Sequence, residues 1–405
     1  MNALTDSVVL PSDGSRALLV GRVWDPESGG PRVVSVRGDE VFDHTDRIRT
    51  VSALLDLDDP GEWVKAEQSL PRWSLASLVE ASLAADAGRP RLLAPIDLQV
   101  VKACGVTFVD SMVERVIEER CGGDFHRAAA VRSSVLAALG GSIGSVQPGS
   151  EEARRVKAIL SERGMWSQYL EVGLGPDPEV FTKAPVLASV GFGSPIGIPS
   201  FSEWNNPEPE LVLLVDSHGR ARGATLGNDV NLRDVEGRSA LLLGMAKDNN
   251  ASCAVGPFIR LFGGDFTLET LRDEEITLTV DGQDGFRLRG QNSLSRISRP
   301  FEALISAAFG DHHQYPDGFA LFTGTLFAPT HDRDAPGQGF THHLGDVVTI
   351  ASPHLGSLVN VTARAEELTP WTFGVRRLME YLASGSGGEP LPDQAPFEAV
   401  QKVSG

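Results

Sequence analysis

Glu208 and Glu210 stand two residues apart in Trp204-Asn205-Asn206-Pro207-Glu208-Pro209-Glu210, and Asp229 follows in Gly227-Asn228-Asp229. Alternate side chains of a strand leave by the same face, so the two glutamates point one way. Three carboxylates with no His or Cys among them form a hard-oxygen donor set. That set suits Mg²⁺, with Mn²⁺ or Ca²⁺ as alternatives, rather than zinc. Charges at a strand mouth also serve simply to keep an edge from pairing with other chains. Pro207 and Pro209 weigh against that plainer role, because they stiffen the approach and donate no backbone hydrogen bond.

Convergence of the three requires a hairpin. Leu211-Val212-Leu213-Leu214-Val215 is an apolar strand-like run, Asp216-Ser217-His218-Gly219 a turn, and Gly223-Ala224-Thr225-Leu226 the answering strand. A two-residue loop closed by Asp216 and Gly219 pairs Glu208 with Gly227 and leaves Asp229 on the same face. A bulge at Gly219 shifts that register by one. In both cases Asp229 arrives within a residue or two of Glu208.

The bulk properties narrow the class. A chain of 405 residues has the length of about two or three domains and can bury a sizeable core. The net charge of −18, with no basic stripe, argues against nucleic acid and anionic membrane as partners. An anionic substrate on such a protein needs a local cation, which a bound metal supplies. Cys104, Cys121 and Cys253 are widely spaced and odd in number, which points to a reducing compartment. The first basic residue is Arg16, and no apolar run approaches the ~18 residues of a membrane span. A cytoplasmic protein is expected.

Along the chain, residues 1–90 read as a small N-terminal α/β domain. Strand-like runs at 17–23 and 32–36 precede amphipathic stretches at 50–57 and 75–84, and 85–90 reads as a linker. Residues 91–405 read as a second, larger domain that carries the three carboxylates. A buried strand over 100–108 leads to a helix over 111–120. A helical insertion over about 122–170 follows, broken at Gly140-Gly141 and at Gln147-Pro148-Gly149-Ser150, with Ser150 as N-cap of the next helix. Beyond 178 strands dominate, apart from a helix-like run over 238–247. The class is α+β.

The ordered set Gly105-Val106-Thr107, Pro178-Glu179-Val180-Phe181-Thr182-Lys183-Ala184, Glu208, Glu210, Asp229, Lys247, Pro316-Asp317-Gly318, Thr323-Gly324-Thr325 and Gly345-Asp346-Val347-Val348 resembles the fumarylacetoacetate hydrolase family over roughly residues 92–365. The resemblance implies a mixed β-sandwich roll and a divalent cation, Mg²⁺ first, that binds a 2-oxo acid. It implies Glu208, Glu210 and Asp229 as metal ligands. The hydrolases of that family carry a Glu–His pair on a short lid helix. The corresponding stretch here, 111–120, has no histidine, and His126 is an awkward substitute. Glu179 and Lys247 instead look like the proton-transfer pair of the family's sugar-acid dehydratases, which act on 2-keto-3-deoxy-pentonates. The product would be 2,5-dioxopentanoate and water. The alternative is a carbon–carbon hydrolase of a 2,4-diketo acid or acylpyruvate.

On that resemblance Lys247 is the base, with a lowered pKa, and Glu179 the acid, although their roles are exchangeable. Ser111, Lys183 and Thr325 are the candidate substrate-binding residues. The fourth carboxylate of some hydrolases is missing, with Thr107 and Phe108 near its place. Self-association as a dimer or tetramer is expected. His312, His313, His331, His342 and His343 lack zinc-ligand spacing and read as loop or interface residues.

Overall fold

The computed structural model describes residues 9–384, apart from 15, 68, 123, 128–129, 133–145, 163, 165, 326–330 and 337–338. The early strands are β1 (Leu19–Asp25), β2 (Gly30–Arg37), β3 (Glu40–Asp43), β4 (Pro71–Ser74) and β5 (Arg91–Leu92). Next come β6 (Val100–Gly105), β7 (Glu179–Ala184), β8 (Pro195–Ile198), β9 (Asn205–Asn206), β10 (Pro209–Val215), β11 (Ala221–Asp229) and β12 (Asn231–Leu232). The last are β13 (Cys253–Leu261), β14 (Glu275–Asp281), β15 (Arg287–Ser293), β16 (Phe319–Phe322), β17 (Val347–Ser352) and β18 (Gly356–Arg364). A large sheet runs β4-β3-β2-β1-β13-β11-β10-β16-β6-β7, with β5 attached to β1. A smaller one runs β15-β14-β17-β18-β8, and β9 pairs with β12 as a two-stranded ribbon. Most pairings are antiparallel, but β16 runs parallel to β6 and β18 parallel to β8.

The sequence pattern explains the layering. Every residue of β10 is buried, because both faces of the central sheet are covered. Its side chains divide by alternation: Leu211, Leu213 and Val215 enter one core, Val212 and Leu214 the other. The first core is shared with Ile276, Leu278 and Val280 of β14 and with Val348 and Ile350 of β17, so the smaller sheet packs on that face. Strand β14 alternates buried and less buried positions, as expected of a sheet with one face to solvent. The second core is closed by Val51, Leu54 and Leu55 of the Val51–Leu55 helix and by Val64.

Two expectations change. The early strands form no layer of their own: β1 pairs with β13, Leu19 opposite Arg260, so the large sheet runs through the boundary drawn at residue 90. The stretch 85–90 is the turn between the Leu75–Leu83 helix and β5. The hairpin register differs as well. Glu210, not Glu208, faces Gly227, and an irregularity between Leu214 and Val215 admits an extra residue on β11. The cause is the turn. The Asp216 carboxylate accepts from the His218 and Arg220 amides and from Nε of Arg220 and Arg222, which fixes a wider loop than two residues. The shift is by an even count, so the glutamates keep their face.

Helices build the cover over the site. The Val109–Cys121 helix buries Met112, Val116, Ile117 and Cys121 against Leu160, Tyr169, Leu170 and Leu174. Those partners lie on or beside the Glu151–Glu162 and Gln168–Leu174 helices. These two helices pack behind the Val109–Cys121 helix, and Ser150 caps the Glu151–Glu162 helix, accepting from the Ala153 amide at 3.1 Å. The break expected at Gly140-Gly141 lies outside the described residues.

Candidate active site

Strands β10 and β11 deliver the carboxylates. The Glu208 amide donates to Asn228 Oδ1 at 3.1 Å and the Asp229 amide to the Glu208 carbonyl at 3.0 Å, which ties the strand mouths together. One oxygen each of Glu208, Glu210 and Asp229 lies within 4.8 Å of the others, and all three residues are buried. Glu210 Oε2 accepts from the Gly324 amide at 2.6 Å. Gly324 has φ +93°, and a Cβ there would strike the Thr107 hydroxyl, so Thr323-Gly324-Thr325 needs its glycine for this close approach.

Cations fill the rest of the cage. Lys247, the last residue of the Leu243–Lys247 helix, sets Nζ 2.5 Å from Glu208 Oε2 and 3.0 Å from Asp229 Oδ2. Arg115 Nη2 bonds the other Glu208 oxygen at 2.6 Å, while its Nη1 lies 2.7 Å from Glu118 and 2.8 Å from Glu236. Lys183 approaches from behind. Its fully buried Nζ lies 2.9 Å from Asp229 Oδ1 and donates to the carbonyls of Val230 and Lys247.

Electrostatics follow from this packing. Burial, then repulsion from Asp229 and Glu208, pushes the Glu210 carboxyl well above its usual range. Burial would raise Asp229 too, but Lys183 and Lys247 hold it below its ordinary value. Burial raises Glu179, only partly offset by Arg115 and Lys247. Glu236 is pushed up to about 7, chiefly by burial, against the pull of Arg115 and Lys247. Burial would lower Lys247, yet Asp229, Glu208 and Glu236 outweigh it and hold its ammonium well above the ordinary lysine range. The expected low-pKa lysine is thus reversed in this cage: surrounding carboxylates stabilise its charge more than burial opposes it.

The donor set fits a divalent cation. It is all oxygen, it is buried, and Glu208 and Asp229 crowd Glu210 with negative charge. The space between these groups is only about 20 Å³, close to what one water needs.

Of the residues picked from sequence, Glu179, Ser111, Thr325 and Lys247 line this cavity with the three carboxylates. Glu179 opens β7 opposite Gly105, where any Cβ would collide with its carboxylate. The Ser111 hydroxyl donates to the Phe108 carbonyl at 2.8 Å. Lys183 does not line the cavity. It is fully buried, so the substrate contact expected of it gives way to a grip on Asp229. His126 is exposed and outside the cavity. His342 and His343 face Asp346 and Asp334 rather than a metal cluster. A second acidic group, Asp56, Asp216 and His218, is already compensated by Arg220 and Arg222 on Asp216. A larger hollow of about 460 Å³ beside Arg16, Arg260 and His354 gathers no comparable set of converging carboxylates.

No protein-family model matches the chain. It is 31% identical over 195 residues to "2-dehydro-3-deoxy-D-arabinonate dehydratase" of Saccharolobus solfataricus, covering 47% of this chain and 61% of that protein, under two thirds of its length. It is 32% identical over 214 residues to "Probable 2-keto-3-deoxyxylonate dehydratase" of Haloferax volcanii, covering 52% of this chain and 67% of the relative. The chain belongs to the fumarylacetoacetate hydrolase family, as a relative of its 2-keto-3-deoxypentonate dehydratases. Solved structures of 2-keto-3-deoxy-D-arabinonate dehydratase share the fold, with a TM-score of 0.58 at 21% identity over 86% of this chain and 99% of theirs. One of them is a complex with magnesium and 2,5-dioxopentanoate.

Within this family framework two charged cavity residues went unassigned in the sequence, Arg115 and Glu236. A usable signal existed for the first. Ser111 and Arg115 are i and i+4 on one helix, hence on one face. Glu236 gave none, since its place depends on how the Arg233–Glu236 helix turns back after β12.

Proposed function

We propose that this protein is a metal-dependent dehydratase converting a 2-keto-3-deoxypentonate, such as 2-keto-3-deoxy-D-xylonate, to 2,5-dioxopentanoate and water. The observation that carries the reading is the convergence of Glu208, Glu210 and Asp229 with Glu179 and Lys247 on one buried cavity. Glu208, Glu210 and Asp229 would hold the cation, which when bound polarises the 2-oxo acid and makes its C3 proton easier to remove. Glu179 and Lys247 are the pair that moves protons, one taking the C3 hydrogen, the other protonating the departing C4 hydroxyl. Loss of both leaves a C3–C4 double bond conjugated with the ketone. Transfer of a C5 proton to C3 gives a C4–C5 enol, and tautomerisation gives the aldehyde. Ser111 and Thr325, which line the same cavity, would bind the acid. Burial of the whole set keeps bulk water from the reacting carbons.

A hydrolase acting on a carbon–carbon bond is less well supported, because none of the described residues lining this cavity is a histidine. The test is incubation with Mg²⁺ and 2-keto-3-deoxy-D-xylonate, with aldehyde trapping and product analysis. A single dioxo acid is expected. Two carbon fragments, or turnover unaffected by EDTA, would overturn the reading.

A further inference from the structure

We propose that Arg115 and Glu236 form the wall of the cavity that recognises the hydroxyl-bearing end of the substrate, and so set the preference for a sugar-derived acid over a plain 2-oxo acid. The inference rests on the dehydratase reading and adds the substrate feature read at this wall.

Three observations carry it. Arg115 and Glu236 both line the cavity, with side chains 12% and 5% exposed. Three carboxylates, Glu208, Glu118 and Glu236, share the Arg115 guanidinium, so its donors are already engaged within the protein. Lastly, Glu236 Oε2 is buried, and no donor is aligned on it as a hydrogen bond. Its 2.8 Å approach to Arg115 Nη1 is an ion pair alone. A buried acceptor with unspent capacity beside a guanidinium suits a group that both donates and accepts, and a hydroxyl does both. Glu118, held by Arg233 Nε at 2.6 Å, keeps Arg115 in place from the far side.

The experiment uses 2-oxopentanoate and 5-hydroxy-2-oxopentanoate, neither of which has a C4 hydroxyl to lose. Each is titrated calorimetrically into the full-length Mg²⁺-loaded protein and into its Glu236→Gln and Glu236→Met variants. Mg²⁺ affinity is measured separately on each. The wild type is expected to bind the hydroxy acid about tenfold more tightly or better, because its hydroxyl supplies the aligned donor that Glu236 Oε2 lacks. Glu236→Met should bind the two acids within about twofold of each other, and Glu236→Gln should fall between, with 2-oxopentanoate and Mg²⁺ binding unchanged in both. An undiminished preference in the two variants overturns the inference. So does a preference lost together with 2-oxopentanoate binding, which would mark Glu236 as merely structural. Equal binding of both acids by the wild type overturns the inference and leaves the dehydratase reading standing. Failure of the wild type to bind either acid overturns both.

Discussion

Replacing Lys183 by Met separates two accounts of that lysine, a substrate contact or a buried buttress of Asp229. The side chain is fully buried, with Nζ 2.9 Å from Asp229 Oδ1. At that separation and an effective dielectric of about 20, the Coulomb attraction is about 6 kcal/mol. Part of it only offsets the desolvation of two buried charges, and Lys247 remains 3.0 Å from the other Asp229 oxygen. The expected net loss is therefore about 3 kcal/mol, at the low end for removing one partner of a buried pair. Met fills nearly the same volume, so cavity formation adds little. Denaturant unfolding in EDTA measures this loss directly. Added Mg²⁺ should recover part of it, since a cation beside Asp229 replaces the missing charge. A Lys183→Met protein as stable as wild type, with only its substrate KM raised, would refute the buttress and restore the substrate contact.

Other perturbations reach different parts of the cage. Glu210→Gln should remove the stabilisation by Mg²⁺, which for wild type at a hundredfold excess over Kd is about 2.7 kcal/mol and is readable as a Tm shift; a full shift in the variant would contradict the ligand assignment. Gly105→Ala should push the Glu179 carboxylate aside and lower kcat by about a hundredfold while Mg²⁺ binding is kept, and unchanged kcat would argue against Glu179 as a proton-transfer group. His342 is buried beside Asp346, Arg333 and His343, and burial holds its pKa below the ordinary 6.5 despite Asp346. The unfolded chain then binds more protons, so this stabilisation is complete above about pH 6.5 and is lost as pH falls toward the folded-state value. His342→Asn should flatten that decline in a urea-unfolding series, and an identical slope would speak against the assignment.

The sequence made the carboxylate cluster legible because two simple periodicities produce it. Period-two alternation sends Glu208 and Glu210 to one face, and any hairpin of that length returns Asp229 to them. The register itself was not legible, since it depends on side-chain-to-backbone bonds of Asp216, which spacing does not encode. Glu179 and Lys247 stand out through the family pattern, not through local chemistry. The burial of Lys183 was not legible for a related reason. Its burial comes from the packing of β7 against the loops around Val230 and Ser252, and a lysine in isolation reads as exposed. The early strands looked self-contained because their attachment, β1 to β13, is a pairing between distant parts of the chain.

The central claim, a buried three-carboxylate cage that takes one hard cation, is tested most directly by anomalous diffraction at the manganese edge from crystals grown with Mn²⁺. A single strong peak among Glu208, Glu210 and Asp229 is the predicted result. No peak there, or one beside Asp56, Asp216 and His218 instead, would contradict it.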